Sequence, residues 1–109
     1  MLRTARQKKK ICSICPFAKT ADLIGDSVTL LIVRDLFVGP KRFGDLEKAL
    51  AGVSTRTLSL KLKQLEEEKI ITRTEYLEKP PKVEYSLTKK GVGLHGVSRA
   101  MIAFGKKYL

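Results

Sequence analysis

Two short amphipathic stretches meet at Ala51-Gly52-Val53, and this junction restricts the possible folds more than any other feature of the chain. In the first stretch, about 43 to 50, Phe43, Leu46, Ala49 and Leu50 form one stripe at helical spacing. In the second, about 55 to 68, Ser54 stands at the cap position, and Leu58, Leu62 and Leu65 fall within about 60° of one another at about 100° per residue. Those leucines must face a core, which turns Arg56, Leu60 and Lys63 outward, flanked by Thr57, Ser59 and Gln64. Two short helices joined by a glycine-containing turn of about three or four residues form a helix-turn-helix. The outward face of the second is cationic and hydroxyl-rich at its amino end and becomes Glu66-Glu67-Glu68 at its carboxyl end. Phosphates suit the first half and are repelled by the second.

The rest of the chain supplies a frame for this motif. Phe17, Ala21 and Ile24 suggest a short helix after Pro16, interrupted at Gly25-Asp26. Ser27 or Asp26 then caps a helix over about 28 to 38, apolar around most of its circumference and therefore central, which Gly39-Pro40 ends. After the motif the pattern changes to alternation: Ile71, Arg73 and Glu75 oppose Thr72, Thr74 and Tyr76, and Val83, Tyr85 and Leu87 alternate with Lys82, Glu84 and Ser86. The intervening Glu78-Lys79-Pro80-Pro81 is barred from ladder pairing by its prolines, so the segment is a hairpin with a rigid tip. Thr88 caps a final helix of about 20 residues with an apolar stripe of Leu94, Val97, Ala100, Met101 and Phe104. In so small a protein that stripe outruns the surface available to it, and a second subunit is its simplest cover. The expected fold is mainly α with a small β-hairpin: a winged helix-turn-helix, with the motif at about 43 to 68, the wing at about 70 to 88 and the terminal dimerisation helix at about 88 to 109. Residues 1 to 10 are expected to be a basic flexible arm, and 11 to 109 a single domain.

Charge points to the partner. The 109 residues carry 22 basic and 11 acidic side chains, a formal net charge of +11. The excess gathers at both ends, and again over 54 to 65, where Arg56, Lys61 and Lys63 have no acidic neighbour in sequence. Such a balance favours a polyanion, nucleic acid above an anionic membrane surface. No apolar run approaches the roughly 18 to 20 residues that span a bilayer, and the lysine-rich start leads into no signal-peptide stretch, so the expected setting is the cytoplasm. An α-helix fits the major groove of double-stranded DNA, about 12 Å wide, where each base pair presents its own donor and acceptor pattern. The residues a helix would carry there are Ser54, Thr55, Arg56, Thr57, Ser59, Leu60 and Lys63. Arg56 matches guanine O6 and N7 or else touches a phosphate; Leu60 meets a thymine methyl or else packs under the wing; Ser54 contacts a base or only caps. Lys41, Arg42, Lys79 and Lys82 flank the groove and suit backbone phosphates.

Cys12 and Cys15 form the one potentially reactive constellation. A shared zinc site would need four thiolates from two subunits, since a single chain offers two cysteines and a distant His95. A redox or electrophile switch is favoured by Lys8 to Lys10 and a following helix amino end, which stabilise thiolate. A buried, inert Cys15 with an idle Cys12 is the third reading. Enzymatic chemistry has little to stand on: His95 is the only histidine, and the glutamates fan around a helix instead of converging. No cofactor motif is present. The competing function class is a protein-interaction winged helix or a nonspecific architectural binder, which would lack preference for one operator.

The chain resembles the HxlR family of winged-helix transcriptional regulators, related to MarR-like proteins, over about residues 15 to 94. The resemblance rests on Cys15-Pro16, Leu30-Leu31-Ile32, Gly39-Pro40 with Arg42-Phe43, Leu46, Val53-Ser54 ahead of Leu58, Leu62, Leu65 and Glu66, and above all on Pro80-Pro81-Lys82-Val83-Glu84-Tyr85-Ser86-Leu87-Thr88 with Gly91. It implies a homodimer joined through terminal helices, here by Leu94, Val97, Met101 and Phe104, acting as repressor or activator on paired half-sites about 34–36 Å apart. It also implies an oxidant or small-molecule effector, because some members use the cysteine matching Cys15. Val28 stands where the family usually carries tryptophan, and Lys69 where a glycine commonly follows the recognition helix.

Overall fold

The computed structural model describes residues 15–109, so the basic arm and Cys12 lie outside the described residues. Six helices and one hairpin follow in order: α1 (Pro16–Ile24), α2 (Ser27–Val38), α3 (Phe43–Ala49), α4 (Thr55–Glu67), β1 (Ile71–Tyr76), β2 (Lys82–Leu87), α5 (Lys89–Val92) and α6 (His95–Tyr108). This is the winged helix-turn-helix arrangement that the sequence pattern leads one to expect.

The core forms where the apolar faces of α2, α3 and α4 converge on the base of the hairpin. Ile32, Val33, Leu36, Leu46, Leu50, Leu58, Leu62, Leu65, Ile70 and Ile71 make one buried cluster. The leucine triplet of α4 is buried throughout, which forces the opposite face of that helix outward. Val28 is half-buried against the same cluster. Ala49 does not share the buried stripe of α3; it is exposed, and Leu46 and Leu50 supply the packing. In α1 the expected stripe is also displaced: Phe17 and Ala21 face outward, while Ala18 and Ile24 are buried. A helix of only nine residues permits either reading from spacing alone.

Asp26, not Ser27, caps α2. Its Oδ1 accepts from the Thr29 amide at 3.0 Å and its Oδ2 from the Thr29 hydroxyl at 2.8 Å. Lys61 reaches the same carboxylate at 3.4 Å, so its charge is half-buried and paired instead of joining an unopposed basic cluster. Partial burial pushes the Asp26 carboxyl up, but the Thr29 bonds and the Lys61 ammonium outweigh it and hold the group below its ordinary range.

The hairpin pairs antiparallel from Ile71 opposite Leu87 to Tyr76 opposite Lys82. One bond pair extends the sheet: Lys41 N–H donates to Tyr85 O at 3.0 Å, and Tyr85 N–H to Lys41 O at 2.8 Å. This single-residue bridge ties the start of the helix-turn-helix to the wing.

At the carboxyl end of α4 the chain turns through Lys69, whose φ of 63° is left-handed. Ile70 N–H donates to Leu65 O at 2.9 Å and Lys69 N–H to Glu66 O at 3.0 Å, the two bonds of a Schellman cap. Buried Leu65 and Ile70 flank it. A side chain in left-handed geometry costs roughly 1–2 kcal/mol, a strain that glycine would avoid and that this chain carries with lysine.

The terminal segment is not one helix. Gly93 N–H bonds Lys90 O at 3.1 Å and Leu94 N–H bonds Gly91 O at 3.0 Å, a tightened turn that closes α5 before α6 begins. None of the residues of α6 is buried.

Candidate nucleic-acid interface

The α3–α4 turn depends on Gly52, whose φ of 97° suits glycine, and closes with Val53 N–H on Leu50 O at 3.0 Å. Ser54 then caps α4: its Oγ accepts from the Thr57 amide at 3.1 Å and donates to the Thr57 hydroxyl at 2.9 Å. The Thr55 hydroxyl donates to Glu47 Oε2 at 2.8 Å, bracing α4 against α3. Three of the hydroxyls expected at the interface are therefore engaged in fixing the amino end of the helix.

Arg56, Ser59, Leu60 and Lys63 recur at helical spacing on the face opposite the buried leucines, and all four are exposed. Leu60 is 53% exposed and does not pack under the wing. Among the described residues no ion pair reaches Arg56 or Lys63, so both charges are open to an anion. The face is a continuous strip with guanidinium first, hydroxyl and aliphatic in the middle, and ammonium last.

The flanking cations differ in freedom. Arg42 precedes α3, where its amide donates to Asp45 Oδ2 at 3.0 Å. Lys41 is half-buried by its bridge to Tyr85. Lys79 lies exposed at the hairpin tip. Lys82 pairs with Glu84 at 3.4 Å and sits 5.2 Å from the centre of the Tyr76 ring, so it is the most restrained of the four. The tip also presents Leu77, fully exposed. Sequence reasoning missed it because the strand alternation ends at Tyr76.

The expected terminal stripe separates into two parts. Leu94 packs on the chain's own core. Val97, Met101 and Phe104 are 37%, 50% and 60% exposed and line a shallow apolar trough with Gly96, Ala100, Gly105 and Leu109. Cys15 caps α1, its Sγ accepting from the Ala18 amide at 3.4 Å, and it is half-exposed.

The HxlR-like helix-turn-helix family matches residues 23–109, which include every element from α2 to α6. The chain belongs to the HxlR family. It is 46% identical over 96 residues to the HTH-type transcriptional regulator sll1512 of Synechocystis, covering 88% of this chain and 71% of that protein. Its fold matches the redox regulator HypR in oxidised form with a TM-score of 0.83 at 34% identity, over 87% of this chain and 98% of HypR. The reduced form of the transcriptional regulator YodB from Bacillus subtilis matches with a TM-score of 0.76 at 35% identity, over 87% and 94%. This HxlR protein is thus a transcriptional regulator built on a DNA-binding helix-turn-helix fold. Among the described residues, no helix is long and apolar enough to cross a membrane.

Proposed function

We propose that the protein binds operator DNA sequence-specifically as a homodimer, laying α4 of each subunit into successive major grooves of a pseudo-palindromic site. The observation that carries this reading is the exposed Arg56, Ser59, Leu60 and Lys63 strip on a helix whose opposite face is locked into the core. Arg56 takes a guanine and Leu60 a thymine methyl, while Ser59 and Lys63 reach adjoining edges or phosphates. Ser54, Thr55 and Thr57 hold the helix amino end at the backbone, where its dipole favours phosphate. Lys41, Arg42, Lys79 and Lys82 set the register on the phosphates to either side. Val97, Met101 and Phe104 join the subunits, with Leu94 anchoring the helix that bears them.

Selection of bound fragments from a random duplex pool tests the reading directly; a palindrome is expected, and recovery of unrelated sequences would favour the nonspecific binder. On the selected site, Arg56→Ala is expected to cost about 1–3 kcal/mol per half-site and relax preference at one base. Lys82→Ala should weaken cognate and random DNA alike, and by less than a free lysine would, because Glu84 already neutralises it. Equal losses on both duplexes for both variants would refute this division of roles.

Cys15 adds a control point to the proposed function. Its sulfur caps α1 by accepting from the Ala18 amide and is half-exposed, and HypR, similar in fold, is named as a redox regulator. Oxidation or alkylation of Cys15 would replace this cap and alter how α1 seats. Mass spectrometry after mild oxidant treatment, paired with a DNA-binding titration, is expected to show modification and changed binding together. A modified Cys15 with unchanged binding would retire the switch.

A further inference from the structure

Lys89 and Lys90 belong to the basic carboxyl-terminal part of the sequence, where a single lysine ordinarily reads as a solvated charge. The structure gives Lys90 other work. Its Nζ donates to Glu68 O at 2.8 Å, across a separation of 22 residues. Glu68 is the last residue of the α4 turn, and its carbonyl is among those a helix end leaves without a partner. The neighbouring carbonyls are held from the same place: the Thr88 hydroxyl donates to Lys69 O and lies 3.1 Å from Ile70 O, which also accepts from the Thr88 amide at 2.9 Å. Gly91 allows the approach, since a Cβ there would stand 2.2 Å from Ile70 O. Three successive carbonyls at the end of α4 are thus fastened to Thr88 and Lys90, in the segment that leads through α5 into α6.

We infer that Lys90 is a positioning residue that sets the operator's half-site spacing, by fixing the angle between α4 and the helix that bears the subunit contact. This rests on the dimeric reading above. α4 has 13 residues and is roughly 20 Å long, so a tilt of about 10° about its carboxyl end displaces its amino end by about 3.4 Å, one base-pair step. Thr88 and Gly91 sit in the packed part of the joint, half-buried and buried. Lys90 is exposed, so its replacement loosens the joint without opening the core.

The test uses the full chain and the palindromic duplex recovered by selection, together with versions carrying one base pair more or fewer between half-sites. Lys90→Met is expected to reduce the wild-type preference for the native spacing by about two- to thirtyfold, as coupling residues do. The slope of log K against log salt should stay unchanged, because no phosphate contact is lost. Lys90→Arg should restore the preference, and Lys89→Met should leave it intact. An unaltered spacing preference in Lys90→Met, or a uniform loss with a salt slope shallower by about one phosphate, would overturn the inference while leaving the dimeric regulator standing. A wild-type chain indifferent to spacing would remove the paired half-site reading itself.

Discussion

A Met101→Asp, Phe104→Asp double variant is expected to sediment as a monomer and to lose about 10²–10⁴-fold in affinity for a two-half-site duplex. The two side chains are 50% and 60% exposed on a helix none of whose residues is fully buried, and neither belongs to the core cluster, so the substitutions leave the core intact. Carboxylates facing each other across a two-fold axis would remain unpaired in a desolvated contact, which is costly at any interface. The loss of affinity needs no damage to α4. Each half-site would still be recognised, but the second binding event would no longer be intramolecular. Analytical ultracentrifugation and a titration on single and paired half-sites check this together. An unchanged dimer would show that another surface joins the subunits.

Leu62→Ala is expected to cost about 2–5 kcal/mol, a large share of the 5–15 kcal/mol that holds a domain of this size together. Leu62 is 1% exposed in the cluster formed by α2, α3, α4 and the base of the hairpin, and removing its bulk leaves a cavity there. Leu60→Ala, two residues away on the same helix and 53% exposed, should change stability by no more than about 0.5 kcal/mol and act on DNA preference instead. Urea unfolding of the two variants separates the inner leucines from the outer one. Similar midpoints would mean that the helix is turned differently about its axis.

The contrast between these leucines also shows what the sequence discloses. Periodicity over 13 residues fixes which face of α4 is buried, and the glycine turn and Ser54 fix where the helix starts. The existence of the hairpin and the place of its tip were equally legible from two β-rich runs around the prolines, but the alternation did not mark a buried face, since residues 72–76 are all exposed and 82–87 all half-buried. Shorter signals failed. α1 offered too few turns to separate Phe17 from Ala18, and Gly91 and Gly93 did not announce that two i−3 bonds would divide the terminal helix. Long-range partners were invisible by nature. Nothing near Lys61 in sequence suggests Asp26, nothing near Lys90 suggests the Glu68 carbonyl, and a one-residue strand such as Lys41 has no period to detect. At the interface itself the strip on α4 was readable, whereas the engagement of Thr55 with Glu47 and of Lys82 with Glu84 required coordinates.

The absence of any buried residue on α6 has a consequence for dosage. In the proposed dimer, Val97, Met101 and Phe104 of that helix are covered only when two chains meet, whereas His95 already rests against Phe37 of its own chain. Covering that stripe and pairing the chains are then a single event, and the amount of dimer grows with the square of the copy number while chains are scarce. A gene under such control would respond to a doubling of the protein with up to a fourfold change in occupancy, a steepness that pairing alone supplies.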